Sequence, residues 1–216
     1  MSLQYTIIPV TPFQQNCSLI WCEQTKQAAL VDPGGDPDRI SQAIEKAGVE
    51  LAQIWLTHGH LDHVGASSQL ATKYGVDIIG PGEQDQFWLD GLGQQSQMFG
   101  FDPIESFTPT RYLKDGDTLS LGEHQFDVVH VPGHTPGHVA IFHPQSQTAW
   151  VGDVLFCGSI GRTDFPQSDH AALIRSIREK LWPLGEQVTF VPGHGPEGQF
   201  AEERRNNPFV ADQLFS

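Results

Sequence analysis

Residues 57–65 read THGHLDHVG: three histidines and an aspartate fall within six positions, after the apolar run LAQIWL (51–56) and at the start of a helical pattern. The apolar run reads as a buried strand that delivers His58 at its C-terminal end. His58 and His60 are two apart, so in an extended segment their side chains point the same way, whereas Asp62 and His63 come after the bend. A strand that ends in so many metal-capable groups raises the question of whether other strands end likewise.

Moving outward, they do. Upstream, TIIPV, CSLIWC and AALVDPGG read as strands ending in a Gly-Pro turn. DPDRISQAIEKAG then predicts a helix with Asp36 as N-cap, Pro37 at the first helical position, Ile40, Ala43, Ile44 and Ala47 on one face, and Gly48 as the stop. Downstream, HVGASSQLATKYG predicts a helix closing at Gly75, followed by the strand VDIIG; Gly82 to Pro109 is weakly patterned and reads as a loop with a short helix, bordering a site. The second half repeats the scheme. Strands TLSLG, QFDVVHVPGH, HVAIFHP and TAWVGD precede the helix SDHAALIRSIREKLWPLG, with Leu173, Ile174, Ile177 and Leu181 inward, and the strand QVTFVPGHG follows. Val131-Pro-Gly-His134 and Val191-Pro-Gly-His194 each place a histidine just past a strand. Two strand-rich halves, each with its own helices, predict an α/β (α+β) fold in which two sheets pack face to face, a four-layer αββα sandwich in a single domain over 1–216.

Composition narrows the function. The chain has 216 residues, 38% of them hydrophobic, enough for a substantial core, and a formal charge of −14. That charge opposes nucleic acid and anionic membranes, and the densest basic spot, Arg204-Arg205, sits beside Glu202 and Glu203. No stretch approaches the roughly 18 apolar residues of a membrane span and no basic region precedes an apolar one at the N-terminus, so a cytoplasmic protein is expected. Cys17, Cys22 and Cys157 lack paired C-x-x-C spacing and read as inert thiols.

The chemistry collects at strand ends, in His58, His60, His63, His134, His194, Asp62 and Asp153. Imidazole and carboxylate suit zinc and similar divalent ions. One ion can take His58, His60 and a third histidine; Asp62 and His63 face a second; a carboxylate such as Asp153 can bridge them. Of the other histidines, His124, His143 and His170 read as surface residues, His130 as a strand residue, and His138 as a neighbour of the ligands. A nucleophilic role for Cys157 lacks a dedicated base beside it.

THGHLDH, PGHTPGH, VGDVLF and VPGHG resemble the signature of the metallo-β-lactamase superfamily. QNC (15–17), VDPGG (31–35) and GDVLFCGSIGRTDFP (152–166) are similar to its glyoxalase II branch, the hydroxyacylglutathione hydrolases, especially short bacterial members. The resemblance spans nearly the whole chain. It implies the αββα fold, with His58, His60 and His134 on one ion, Asp62, His63 and His194 on the other, Asp153 bridging, and Asp32 behind the ligands. The ions are expected to be zinc, with iron or manganese as alternatives. It further implies hydrolysis of S-D-lactoylglutathione to D-lactate and glutathione, the thioester step of methylglyoxal detoxification, by a metal-bound hydroxide that Asp62 helps to orient. The expected partner is a small acylglutathione, for a monomer or small homo-oligomer.

The sequence also departs from that branch. The family's glutathione-binding C-terminal helical domain is not matched, and GQFAEERRNNPF (198–209) reads as one closing helix. Arg162 stands where the family has a lysine and is assigned to the substrate carboxylate, the alternative being an ion pair with Asp164 or Asp169; Asp164 and Pro196 replace family tyrosines. The rival activities are a persulfide dioxygenase, an iron enzyme of the same superfamily, and another of its metal-dependent hydrolases. Ribonuclease Z is opposed by the acidic charge, and a structural metal module by the full ligand set.

Overall fold

The computed structural model describes residues 2–215. Its first half forms a five-stranded sheet, β1 (Leu3–Val10), β2 (Gln15–Cys22), β3 (Gln27–Val31), β4 (Glu50–Trp55) and β5 (Asp77–Ile79), in that spatial order. Its second half contributes β6 (Thr118–Leu121), β7 (His124–His130), β8 (Val139–His143), β9 (Thr148–Gly152), a short hairpin β10 (Leu155–Phe156) and β11 (Ser159–Ile160), then β12 (Thr189–Pro192) and β13 (Gly198–Gln199). The second sheet is ordered β13-β12-β9-β8-β7-β6.

Alternation along these strands builds three apolar layers. Leu19, Ala28, Leu30 and Ile54 face outward onto Ile40 and Ile44 of α1 (Pro37–Ala47). Ile20, Ala29, Val31 and Trp55 face the other sheet and meet Phe126, Val128, Ile141 and Trp150. The far side of that sheet, with Ala140, Ala149, Val151 and Phe190, packs on Leu173, Ile177, Leu181 and Phe200. The order helix, sheet, sheet, helix is the expected αββα sandwich.

Local chemistry departs from expectation at four places. Asp36 does not cap α1: its own φ is 49° and its carboxylate accepts the Thr11 amide at 2.7 Å, tying the helix to the β1–β2 loop. The helix expected over 63–75 is broken into α2 (Leu61–Val64) and α3 (Ser67–Tyr74), because the Ala66 amide bonds to the Pro33 carbonyl at 2.9 Å. The weakly patterned segment holds more helix than expected, α4 (Gln86–Asp90) and α5 (Leu92–Phe99). His124 and His143 are not surface residues: both are buried, with ring centroids 5.0 Å apart beside Phe126. The amphipathic stretch from 170 begins as α6 (His170–Arg175) and continues as a π-helical turn, and the chain closes with α7 (Phe200–Asn206), the single closing helix expected. Among the described residues no helix is long and apolar enough to cross a membrane.

Pairing directions explain where the functional groups gather. β3 and β4 are parallel; β7 and β9 are each antiparallel to β8 and therefore point alike; β12 is parallel to β9. The C-terminal ends of β4, β7, β9 and β12, which lead to His58, His134, Asp153 and His194, thus open at common sheet edges.

Candidate metal centre

Four of the five central histidines are anchored through Nδ1 and turn Nε2 to a shared centre. His58 Nδ1 lies 3.0 Å from Thr57 Oγ1, whose hydroxyl donates to Asp32 Oδ2 at 2.6 Å. His63 Nδ1 meets Asp32 Oδ2 at 2.9 Å, His134 Nδ1 the Arg162 carbonyl at 2.8 Å, and His194 Nδ1 the Phe13 carbonyl at 3.1 Å. Such acceptors hold the proton on Nδ1 and leave Nε2 as a lone-pair donor. His60 is turned the other way, with Nδ1 inward and Nε2 buried without a partner.

The inward atoms form two groups. His60 Nδ1 stands 3.2 Å from His58 Nε2 and 3.0 Å from His134 Nε2. In the second group Asp62 Oδ2 is 3.2 Å from His194 Nε2 and 3.9 Å from His63 Nε2. Asp153 lies between them, with Oδ1 3.4 Å from His63 Nε2 and Oδ2 3.7 Å from His134 Nε2 and 3.6 Å from His194 Nε2. Donors of one tetrahedral ion with bonds of about 2.0–2.1 Å stand about 3.3 Å apart; the first group lies close to that, at 3.0 and 3.2 Å, and the second is looser, at 3.2 and 3.9 Å. His58, His60 and His134, and likewise Asp62, His63 and His194, could each hold an ion.

Two further observations fit a metal. His63 Nε2 and Asp153 Oδ1, buried and 3.4 Å apart, make no well-formed hydrogen bond with each other or with any other group, an arrangement that a cation between them would satisfy. Gly193, between β12 and His194, leaves the space open: a Cβ there would lie 2.0 Å from Asp153 Oδ1 and 2.5 Å from the His63 ring.

Electrostatics separates the groups. Burial, reinforced by the crowding of neighbouring imidazoles, holds the pKa of His58 and His60 well below the ordinary value, and burial also lowers that of His134. Neutral imidazoles are what a cation requires. Burial alone would lower His63 too, but the Asp153 and Asp62 carboxylates raise it well above the usual value. Burial opposes ionisation of Asp153, yet the surrounding histidines, His63 foremost, keep it ionised far into acid.

All seven candidate ligands therefore converge, and Asp32 stands behind His63 and His58 as expected. His138 stacks on His58, with ring centroids 4.6 Å apart, and its Nε2 accepts the Asp153 amide at 3.1 Å. Arg162 behaves differently. Its guanidinium makes a two-pronged pair with Asp164, at 3.0 and 2.8 Å, and covers the Phe165 ring at 4.7 Å, while its carbonyl serves His134. The sequence reading missed residues that position the ligands through backbone. Asn16 Nδ2 donates to the Pro192 and Gly195 carbonyls at 3.0 and 2.8 Å and so frames His194; Asp85 is the other case. Asn16 lies in the QNC stretch (15–17) that the resemblance singles out, so a signal for it existed, whereas Asp85, in the weakly patterned segment, carried none. Trp88 and Phe165 wall the His60 side, with centroids 4.5 and 4.9 Å from its ring.

Residues 10–194 match the sequence profile of the metallo-beta-lactamase superfamily. The chain is 48% identical over 205 residues to hydroxyacylglutathione hydrolase GloC of Haemophilus influenzae, covering 94% of this chain and 96% of that one. Among solved structures it resembles BLEG-1 B3 metallo-beta-lactamase, with a TM-score of 0.88, 33% identity and coverage of 96% and 99% of the two chains. It also resembles TTHA1623 in a di-iron-bound form, with a TM-score of 0.86, 33% identity and coverage of 95% and 100%.

Proposed function

The chain belongs to the metallo-beta-lactamase superfamily, and from that premise we propose that it is a metal-dependent hydrolase of glutathione thioesters, converting S-D-lactoylglutathione to D-lactate and glutathione. In this reading His58, His60 and His134 would hold one divalent ion and Asp62, His63 and His194 a second, with the Asp153 carboxylate between the two groups. The imidazole and carboxylate donors suit zinc. The observation that carries the reading is the set of four Nε2 atoms aimed at one place by fixed Nδ1 partners, in a chain 48% identical to a hydroxyacylglutathione hydrolase.

Divalent ions held there would supply a water of lowered pKa as nucleophile at neutral pH and Lewis-acid polarisation of the substrate carbonyl. The chain's own residues supply the rest. Asp62, whose Oδ2 faces His194 and His63, accepts a hydrogen from the attacking water and orients it. Asp32 and Thr57 keep His63 and His58 from rotating, so the donors need no rearrangement during reaction. Trp88 and Phe165 shield the His60 side from water. The glutathione sulfur departs as a thiolate, which needs no acid to leave at neutral pH. The chemistry calls for no serine or cysteine nucleophile.

The test is thiol release from S-D-lactoylglutathione by the purified chain, with metals per chain and their identity measured on the same sample. Release of D-lactate and free thiol in equal amounts, with close to two ions per chain, is expected. Failure to turn over any acylglutathione, together with oxygen uptake on glutathione persulfide, would replace this reading with the dioxygenase.

A further inference from the structure

We propose that Asp85 is the positioning residue of the His58, His60 and His134 triad, the buried tie that sets the spacing of those three donors without touching an ion. The proposal rests on the ligand assignment above. His58 and His60 follow β4 of the first sheet, whereas His134 follows β7 of the second, so no local chain geometry fixes the 3.0 Å approach of His60 Nδ1 to His134 Nε2. Asp85 spans that gap. Its Oδ2 accepts the amide of Gly59, the residue between the two first histidines, at 2.9 Å, and the hydroxyl of Thr135, next to His134, at 2.7 Å. Its Oδ1 accepts the Gly137 amide at 2.5 Å, and a second strap, Gly82 N–H to the Gly137 carbonyl at 2.8 Å, holds the same loop.

Asp85 is fully buried and has no ion-pair partner among the described residues. A carboxylate in that setting is tolerated only where donors satisfy it, and all three of its donors belong to the loops that carry the triad. Both backbones approach it as closely as glycine allows: a Cβ on Gly137 would lie 2.6 Å from the Asp85 amide nitrogen, and one on Gly59 3.0 Å from its carbonyl. The second group is held by other means. Asp62 and His63 share α2, and His194 is framed by Asn16 and the Phe13 carbonyl. Loss of Asp85 therefore loosens one ion and spares the other.

The experiment loads the full chain with cobalt(II), adds increasing chelator, and follows each ion through its visible absorption. His58→Ala serves as the reference that identifies the band of the first ion. Asp85→Asn offers one acceptor oxygen and turns an NH2 group toward a donor, so it is expected to release that same ion at about 10- to 100-fold weaker affinity, with the second ion within about threefold of wild type. Thr135→Val, which deletes one of the three donors, should weaken the same ion to a smaller degree, and it decides the matter if Asp85→Asn does not fold. Wild-type affinity for both ions in folded variants, or equal weakening of both, overturns the proposal. A wild-type chain that takes up no cobalt overturns the ligand assignment itself, a result distinct from variants that keep two ions.

Discussion

At the scale of single residues, four of the candidate ligands, His58, His63, His134 and His194, are defined twice, by what the inward nitrogen faces and by what holds the outward one. Asp153 is the extreme case, since its carboxylate faces His63, His134 and His194 at once. Asp153→Ala is expected to lower metal affinity at least about 100-fold, and His58→Ala to remove one ion, with far-UV circular dichroism unchanged. Elemental analysis of both variants checks this, and unchanged metal content in either would reject the assignment. Arg162 calls for a different experiment because its guanidinium is already engaged by Asp164. A substrate carboxylate must displace Asp164 to reach it. Asp164→Asn, which frees the fork, is expected to lower KM for an acylglutathione, and Arg162→Ala to raise it; both should leave Tm and metal content nearly unaltered, because the pair is exposed. Equal loss of activity toward a small uncharged thioester would show that Arg162 acts only through the loop it belongs to.

At the scale of elements, the hairpin of β7 and β8 carries a titration remote from the chemistry. His143 closes β8 against His124, and burial followed by the neighbouring His124 pushes its pKa down to about 4. In the unfolded chain a histidine titrates near 6.5, so between about 6.5 and about 4 the unfolded chain binds more protons than the folded one. Stability contributed by neutral His143 is present above that window and lost as pH falls through it. Urea midpoints measured across this range on metal-loaded protein should decline toward acid, and His143→Leu should flatten the decline. An identical slope in the variant would assign the loss to other groups, the candidate ligand histidines first.

At the scale of the whole molecule, charge is the dominant feature. A formal charge of −14 opposes an anionic thioester such as the proposed substrate, and two divalent ions, if bound as proposed, would offset only part of it. Screening should therefore favour binding. KM for S-D-lactoylglutathione is expected to fall as salt rises from about 0.01 M to about 0.15 M, where the Debye length shrinks from about 30 Å to about 8 Å, while kcat stays constant. A neutral thioester should show no such dependence. A KM that rises with salt would reveal a cationic surface that recognises glutathione.

The sequence by itself determined the layers and named the candidate donors. Period-two alternation in CSLIWC, AALV and HVAIF sorts side chains between helix-facing and sheet-facing cores, and a histidine or aspartate immediately after an apolar strand must emerge at a sheet edge. Those are local consequences of strand geometry. The tertiary structure decided everything that depends on two distant segments meeting. Asp36 leaves its helix to hold Thr11, Ala66 bonds Pro33 instead of continuing a helix, and His124 finds burial against His143. Arg162 spends its side chain on Asp164 and lends its carbonyl to His134, and Asp85, in a stretch without pattern, ties two sheets at the candidate metal centre. A buried polar group takes whichever partner satisfies it at least cost, and that partner is set by folding, not by its neighbours in sequence.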